Sequence, residues 1–157
     1  MSYMSKKNKI ARQKLDKNFA NYQSIALPPK GWIKAIRESL GMTATQMAKR
    51  LGITPSSVIA LEKREKTRSI TLSQMDRAAE QLDCRVEYAL IPNKPLEQII
   101  NDKIYQKAKK QLASVSHSME LEDQSILYED LKQQLDFIIQ DIMNAPEKYV
   151  WEDDDVS

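Results

Sequence analysis

The chain has only three glycines, and all of them fall between residues 31 and 52. Sandwiches and barrels need turn residues at short intervals, so this distribution excludes a protein built from many strands. It points instead to helices joined by a few specific turns. Aliphatic side chains, Lys, Glu and Gln dominate the rest of the sequence, and these residue types favour helix. With 157 residues and 41% hydrophobic content the chain can bury a modest core. The longest apolar runs, Val58–Leu61 and Tyr88–Ile91, are far shorter than the roughly 20 residues a membrane helix needs. The basic start has no apolar stretch behind it, so no signal peptide is expected. One cysteine, Cys84, and one histidine, His117, cannot supply a zinc cage. The expectation is a soluble, cytoplasmic, mainly helical protein without metal or cofactor.

Net charge is +2, but it is distributed as a gradient. Residues 1–37 carry nine Lys/Arg against Asp16 alone, a net of +8; residues 38–95 carry +2; residues 96–157 carry six against fourteen, a net of −8. A basic end of this kind suits a polyanion, and the acidic end suits a different partner, away from the polyanion.

Punctuation divides the chain into four parts: a basic helical arm (1–28), a compact helical domain with one short strand (29–92), a helical hairpin (93–146) and an acidic tail (147–157). In the arm, Ile10, Leu15, Phe19 and Tyr22 recur at helical spacing. In the hairpin, Leu96, Ile99, Ile100, Ile104, Ala108, Leu112 and Val115 do the same, as do Ile126, Leu127, Leu131, Leu135, Ile138, Ile139 and Ile142. Ser118 is placed to cap the second hairpin helix, with Glu120, Glu122 and Asp123 suited to its N-terminal end. The run Arg85–Ile91 alternates with period two and predicts a strand carrying Val86, Tyr88 and Leu90 on one face. Cys84 opens it and reads as a buried or half-buried small hydrophobe.

The most informative block is Gly41–Glu62, Gly-Met-Thr-Ala-Thr-Gln-Met-Ala-Lys-Arg-Leu-Gly-Ile-Thr-Pro-Ser-Ser-Val-Ile-Ala-Leu-Glu. Thr43 and Gln46 match a capping box, as do Thr71 and Gln74. Thr54 can cap the next helix, with Pro55 at its first position. Ala48 permits a close helix crossing, Gly52 a left-handed turn, and Ile53, Val58 and Leu61 fill the space between helices. This is a helix-turn-helix pattern. It leaves Ser56, Ile59, Ala60 and Lys63 outside, with Ser57 at the edge, a small face able to enter a major groove about 12 Å wide. Lys63, Arg64, Lys66 and Arg68 then form a basic loop where phosphates would lie. Thr43, Thr45, Gln46 and Thr54 complete the candidate DNA-binding set.

Residues 31–91 resemble the helix-turn-helix domain of phage-repressor (Xre/Cro) type regulators, including Arg37–Gly41 before the motif and Glu62 closing it. The resemblance implies an Arg37–Glu62 ion pair that is structural. It also shows departures: Ala44 stands where many relatives have a Gln, Pro55 at the first recognition position, and Arg64 where a Gly is usual. Pro29–Arg37, Ile70–Leu72, Cys84–Pro92 and His117–Gln124 together resemble the mobile mystery protein A family, which is encoded beside a Fic-domain protein. That likeness implies an autorepressing, antitoxin-like regulator with a Fic-domain partner. The alternative is a protein-binding antitoxin or adaptor acting through its acidic hairpin. A homodimer is expected, because a lone strand needs a partner and a second copy can supply it; the competing account pairs the strand with the N-terminal arm. No phosphate-cradling glycine loop, nucleophile elbow or paired-carboxylate motif is present in the sequence, so no enzymatic activity is expected.

Overall fold

The computed structural model describes residues 5–116 and 124–152. Seven α-helices and one 3₁₀ turn make up the regular structure of the described residues. They fall into two compact units: one is residues 23–90, the other the residues up to 22 together with those from 91 onward.

The unit of residues 23–90 holds α2 (Trp32–Ser39), α3 (Ala44–Leu51), α4 (Pro55–Lys66) and α5 (Leu72–Gln81). Local chemistry sets each boundary. The hydroxyl of Thr43 accepts from the Gln46 N–H at 3.1 Å, and the Gln46 side chain accepts from the Thr43 N–H at 2.8 Å, opening α3 with two otherwise orphaned donors satisfied. Thr71 and Gln74 repeat this box at α5. Gly52 closes α3 at φ 68°, a left-handed conformation that side chains with a Cβ rarely adopt. Thr54 accepts from the Ser57 N–H at 3.2 Å and Pro55 takes the first helical position, so α4 starts after a three-residue turn. Ile33, Met47, Ala48, Leu51, Val58, Leu61, Ala78 and Leu82 meet in one core, with Met47, Val58 and Ala78 wholly inaccessible. Burying each large aliphatic side chain contributes about 1.5–3 kcal/mol. Ile53, expected in this core, is 36% exposed: it lies in the turn itself, beyond the reach of the crossing helices.

The other unit holds α1 (Lys6–Phe19), α6 (Leu96–Ser116), α7 (Gln124–Asn144) and the 3₁₀ turn Glu147–Trp151. Ile100, Ile104, Ala108, Ile142 and Val150 form its core, joined by Leu135, Ile138, Ile139, Met143 and Tyr149. The Lys107 ammonium is buried with them, donating to the Glu152 carbonyl at 2.8 Å and lying 4.4 Å from the centre of the Tyr149 ring. The basic arm is the helix α1, and it packs on α6. Of its apolar residues, Ile10 and Leu15 are 55% and 43% exposed and Phe19 is half-buried. Polar contacts fasten it, Arg12 and Asp16 to α6, and Asn8 and Arg12 to Glu147 of the 3₁₀ turn, as described below.

Two expectations need correction. There is no β-strand among the described residues, and the predicted strand Arg85–Ile91 is irregular chain with Tyr88 and Leu90 exposed. A strand is defined by its ladder of hydrogen bonds to a second strand, and among the described residues no segment supplies one. Cys84 is exposed rather than packed, with its Sγ donating to the Leu82 carbonyl at 3.3 Å. The chain turns out of the core one residue earlier, at Asp83, whose φ is 55°. His117, Ser118, Glu120, Glu122, Asp123 and the last residues of the acidic tail lie outside the described residues.

Candidate nucleic-acid interface

Helix α4 carries twelve residues with two carboxylates, Glu62 and Glu65, and both are turned inward. Glu62 Oε1 accepts from Arg37 Nε at 2.7 Å, with side chains 4% and 8% exposed. The Arg37 guanidinium also donates to the Met42 carbonyl at 2.8 Å, which ties α2 and the α2–α3 turn to α4. Glu65 accepts from the backbone N–H groups of Trp32 at 2.6 Å and Ile33 at 2.9 Å. It thereby caps α2, whose own N-cap residue, Gly31, has no side chain. Gly31 has φ +82°, and a Cβ there would lie 2.9 Å from Glu65 Oε2. The glycine is what lets the carboxylate reach the helix end.

With its acids buried, α4 shows solvent a different set. Ser56, Ile59, Ala60 and Lys63 are exposed, and Ser57 is half-buried. The hydroxyls of Ser56 and Ser57 lie 3.0 and 2.8 Å from that of Thr54, so the first turn of α4 is a small hydroxyl cluster. Thr45 and Gln46 are exposed at the start of α3, although Gln46 and Thr43 are engaged with each other in the capping box. At the other end of α4, Lys63, Arg64, Lys66 and Arg68 are exposed and form no ion pair among the described residues. Their placement at the helix C-terminus suits the macrodipole. Arg68 sits at φ 58°, closing α4 through N–H bonds from Arg68 to Glu65 O and from Ser69 to Arg64 O. That position usually takes glycine, and a side chain there costs about 1–2 kcal/mol.

Two residues, Glu65 and Arg77, are not singled out by the sequence pattern. Glu65 reads there as one more solvated acid in a charged helix end. Gln74 and Arg77 on α5 join Ile53, Ser57, Leu61 and Arg64 around a cleft of about 250 Å³ beside α4. Arg77 follows Gln74 by three residues and so shares its side of α5, a spacing that could have marked it.

Residues 33–88 match the helix-turn-helix family model. No curated protein and no solved structure matches the chain. The matched stretch spans α2 to α5 and the first residues beyond, so α3, the turn at Gly52 and α4 are the helix-turn-helix itself. Among the described residues no helix is long and apolar enough to cross a membrane.

Proposed function

On the premise that residues 33–88 form a helix-turn-helix domain, we propose that the protein is a non-enzymatic transcriptional regulator that binds duplex DNA through α4. The second helix of such a motif lies in the major groove with its N-terminal residues toward the base edges. In this chain those are Ser56, Ser57, Ile59 and Ala60, with Lys63 behind them. Arg64, Lys66 and Arg68 contact phosphates, and Thr43 and Thr45 meet the backbone at the start of α3. The observation that carries the reading is the sorting of charge on α4, both carboxylates buried and every cation out. Pro55 and the pre-engaged hydroxyls of Thr54, Ser56 and Ser57 limit direct hydrogen-bonding to bases, so DNA shape contributes to the choice of site.

The protein acts as a dimer on two half-sites about 34 Å apart. The exposed run Arg85–Ile91, with Tyr88 77% and Leu90 90% accessible, pairs with its counterpart in a second copy. Resemblance to the mobile mystery protein A family adds autorepression and a Fic-domain partner. Tyr128 and Phe137 of α7, each 74% exposed, favour a protein-binding role for that helix.

The test is the salt dependence of DNA binding. Replacing Arg64, Lys66 and Arg68 with Ala should weaken binding to all duplexes and lower the slope of log K against log salt by about 3. Arg68→Gly alone should lose about one unit of slope while leaving the fold intact or firmer, since it removes the left-handed strain. An unchanged slope in both variants would refute the phosphate assignment.

A further inference from the structure

Helix α1 sorts its charges as α4 does. Its one carboxylate, Asp16, faces α6 and accepts from the N–H groups of Leu96 at 2.7 Å and Glu97 at 3.3 Å, capping that helix. Arg12, its side chain 14% exposed, is held by Glu97 at 2.8 Å and Glu147 at 2.7 Å, and the Asn8 amide also donates to Glu147. The charges that could offset the lysines of α1 are therefore consumed on the docked side. At about 100° per residue, Lys6, Lys7, Lys14 and Lys17 lie on the opposite side, around Ile10. All four lysines are exposed and form no ion pair among the described residues. Lys6 and Lys7 also occupy the first turn, which has no acidic residue. Cations there are opposed by the helix dipole, a local cost to the helix. A bound anion would remove it.

We propose that the outer face of α1 is a second phosphate-contacting surface for duplex DNA, presented by a docked helix rather than by a free tail. The inference rests on the DNA-binding reading of residues 33–88, and extends it to the unit that the family match does not cover. Lys6 and Lys17 are about 16 Å apart along the helix axis and Lys7 and Lys14 about 10 Å, a span that covers several phosphates of a duplex. A lipid surface fits less well, because interfacial helices carry a broad apolar face and only Ile10 stands among these lysines. The contact is to the backbone, so it adds affinity without reading sequence.

The experiment uses the full chain and two duplexes, one selected by the intact protein from a random pool and one scrambled. Replacing Lys6, Lys7, Lys14 and Lys17 with Gln should lower affinity for both duplexes by the same factor, roughly tenfold or more near 0.1 M salt. The salt slope should fall by about 3–4, while the preference for the selected duplex is unchanged. Arginine at the same four positions should restore both affinity and slope, which shows that charge and not folding is responsible. Unchanged affinity and slope in the Gln variant would overturn the proposal, as would a loss confined to the selected duplex. So would loss of binding to phosphatidylserine vesicles with DNA binding intact. If the intact chain selects no duplex, the reading of α4 fails and this one falls with it. If selection succeeds and only the α1 variant is silent, the failure belongs to α1 alone.

Discussion

The helix-turn-helix unit has one ion pair at its centre, besides the exposed pairs Lys30–Glu38 and Arg85–Glu87. Arg37 and Glu62 are 8% and 4% exposed, and Glu65 is buried where it meets the backbone of α2. The unit built on α6 and α7 holds its clasp nearer the surface: Arg12 and Glu147 are 14% and 13% exposed, and Glu97, the outer partner of Arg12, is 34% exposed. A buried charge that loses its partner has nowhere to go, whereas an accessible one is taken up by solvent at small cost. The first arrangement locks α4 to α2 and suits a rigid reading head. The second holds α1 by contacts that salt and acid can loosen.

Breaking the central pair should have the largest effect on stability. Arg37→Ala leaves Glu62 buried without its cation and frees the Met42 carbonyl, a loss of about 3–5 kcal/mol. Denaturant unfolding of the intact chain measures it, and a loss below about 1 kcal/mol would show that the pair behaves like a surface contact. Gly31→Ala comes next. The alanine must adopt φ +82° with its Cβ against Glu65, so about 1–2 kcal/mol of backbone strain adds to a displaced cap. Spectroscopic melting should report the destabilisation, and DNA binding should weaken less than after a change at Arg64, Lys66 and Arg68 at the end of α4.

How far each unit could be read from sequence follows from the range of its interactions. The boundaries of α3, α4 and α5 were legible because Thr43/Gln46, Thr54/Pro55 and Thr71/Gln74 act within three residues of each other. The exposed face of α4 follows from that register. The Arg37–Glu62 pair was reached only through family resemblance, because nothing local joins residues 25 apart. Glu65 was missed for the same reason: its partners, the N–H groups of Trp32 and Ile33, are set by tertiary packing. For α1 the apolar period was misleading. It selects Ile10, Leu15, Phe19 and Tyr22, while docking runs through Arg12 and Asp16 to groups 80 and more residues away. The alternation in Arg85–Ile91 is real, but a strand also needs a second strand to pair with, and among the described residues none lies beside this segment.

The smallest global effect, and the sharpest test of the contrast, is expected from Glu147→Gln. Burial pushes the Glu147 carboxyl up, but hydrogen bonds from Arg12 and Asn8 and the charge of Arg12 outweigh it and hold the group below the usual carboxylate range. A depressed folded value means that Glu147 stabilises the docked helix fully above its unfolded value of about 4.3. That contribution is lost as pH falls through the lower folded value. In the unaltered protein, amide exchange protection of residues 6–19 should therefore drop in acid, and should also drop at high salt, where screening shortens to about 3 Å near 1 M. Glu147→Gln keeps the shape but removes the charge. Its overall stability should fall by about 1 kcal/mol, less than for Arg37→Ala or Gly31→Ala, because the amide still accepts from Arg12 and Glu97 keeps its charge. Protection of α1 should be lower at pH 7 and should vary less between pH 7 and acid than in the unaltered chain. Residues 32–81, whose central pair is buried, should keep their protection under the same change. If α1 and α4 lose protection together, the clasp is no more separable than the central pair, and the distinction between a locked reading head and a releasable helix fails.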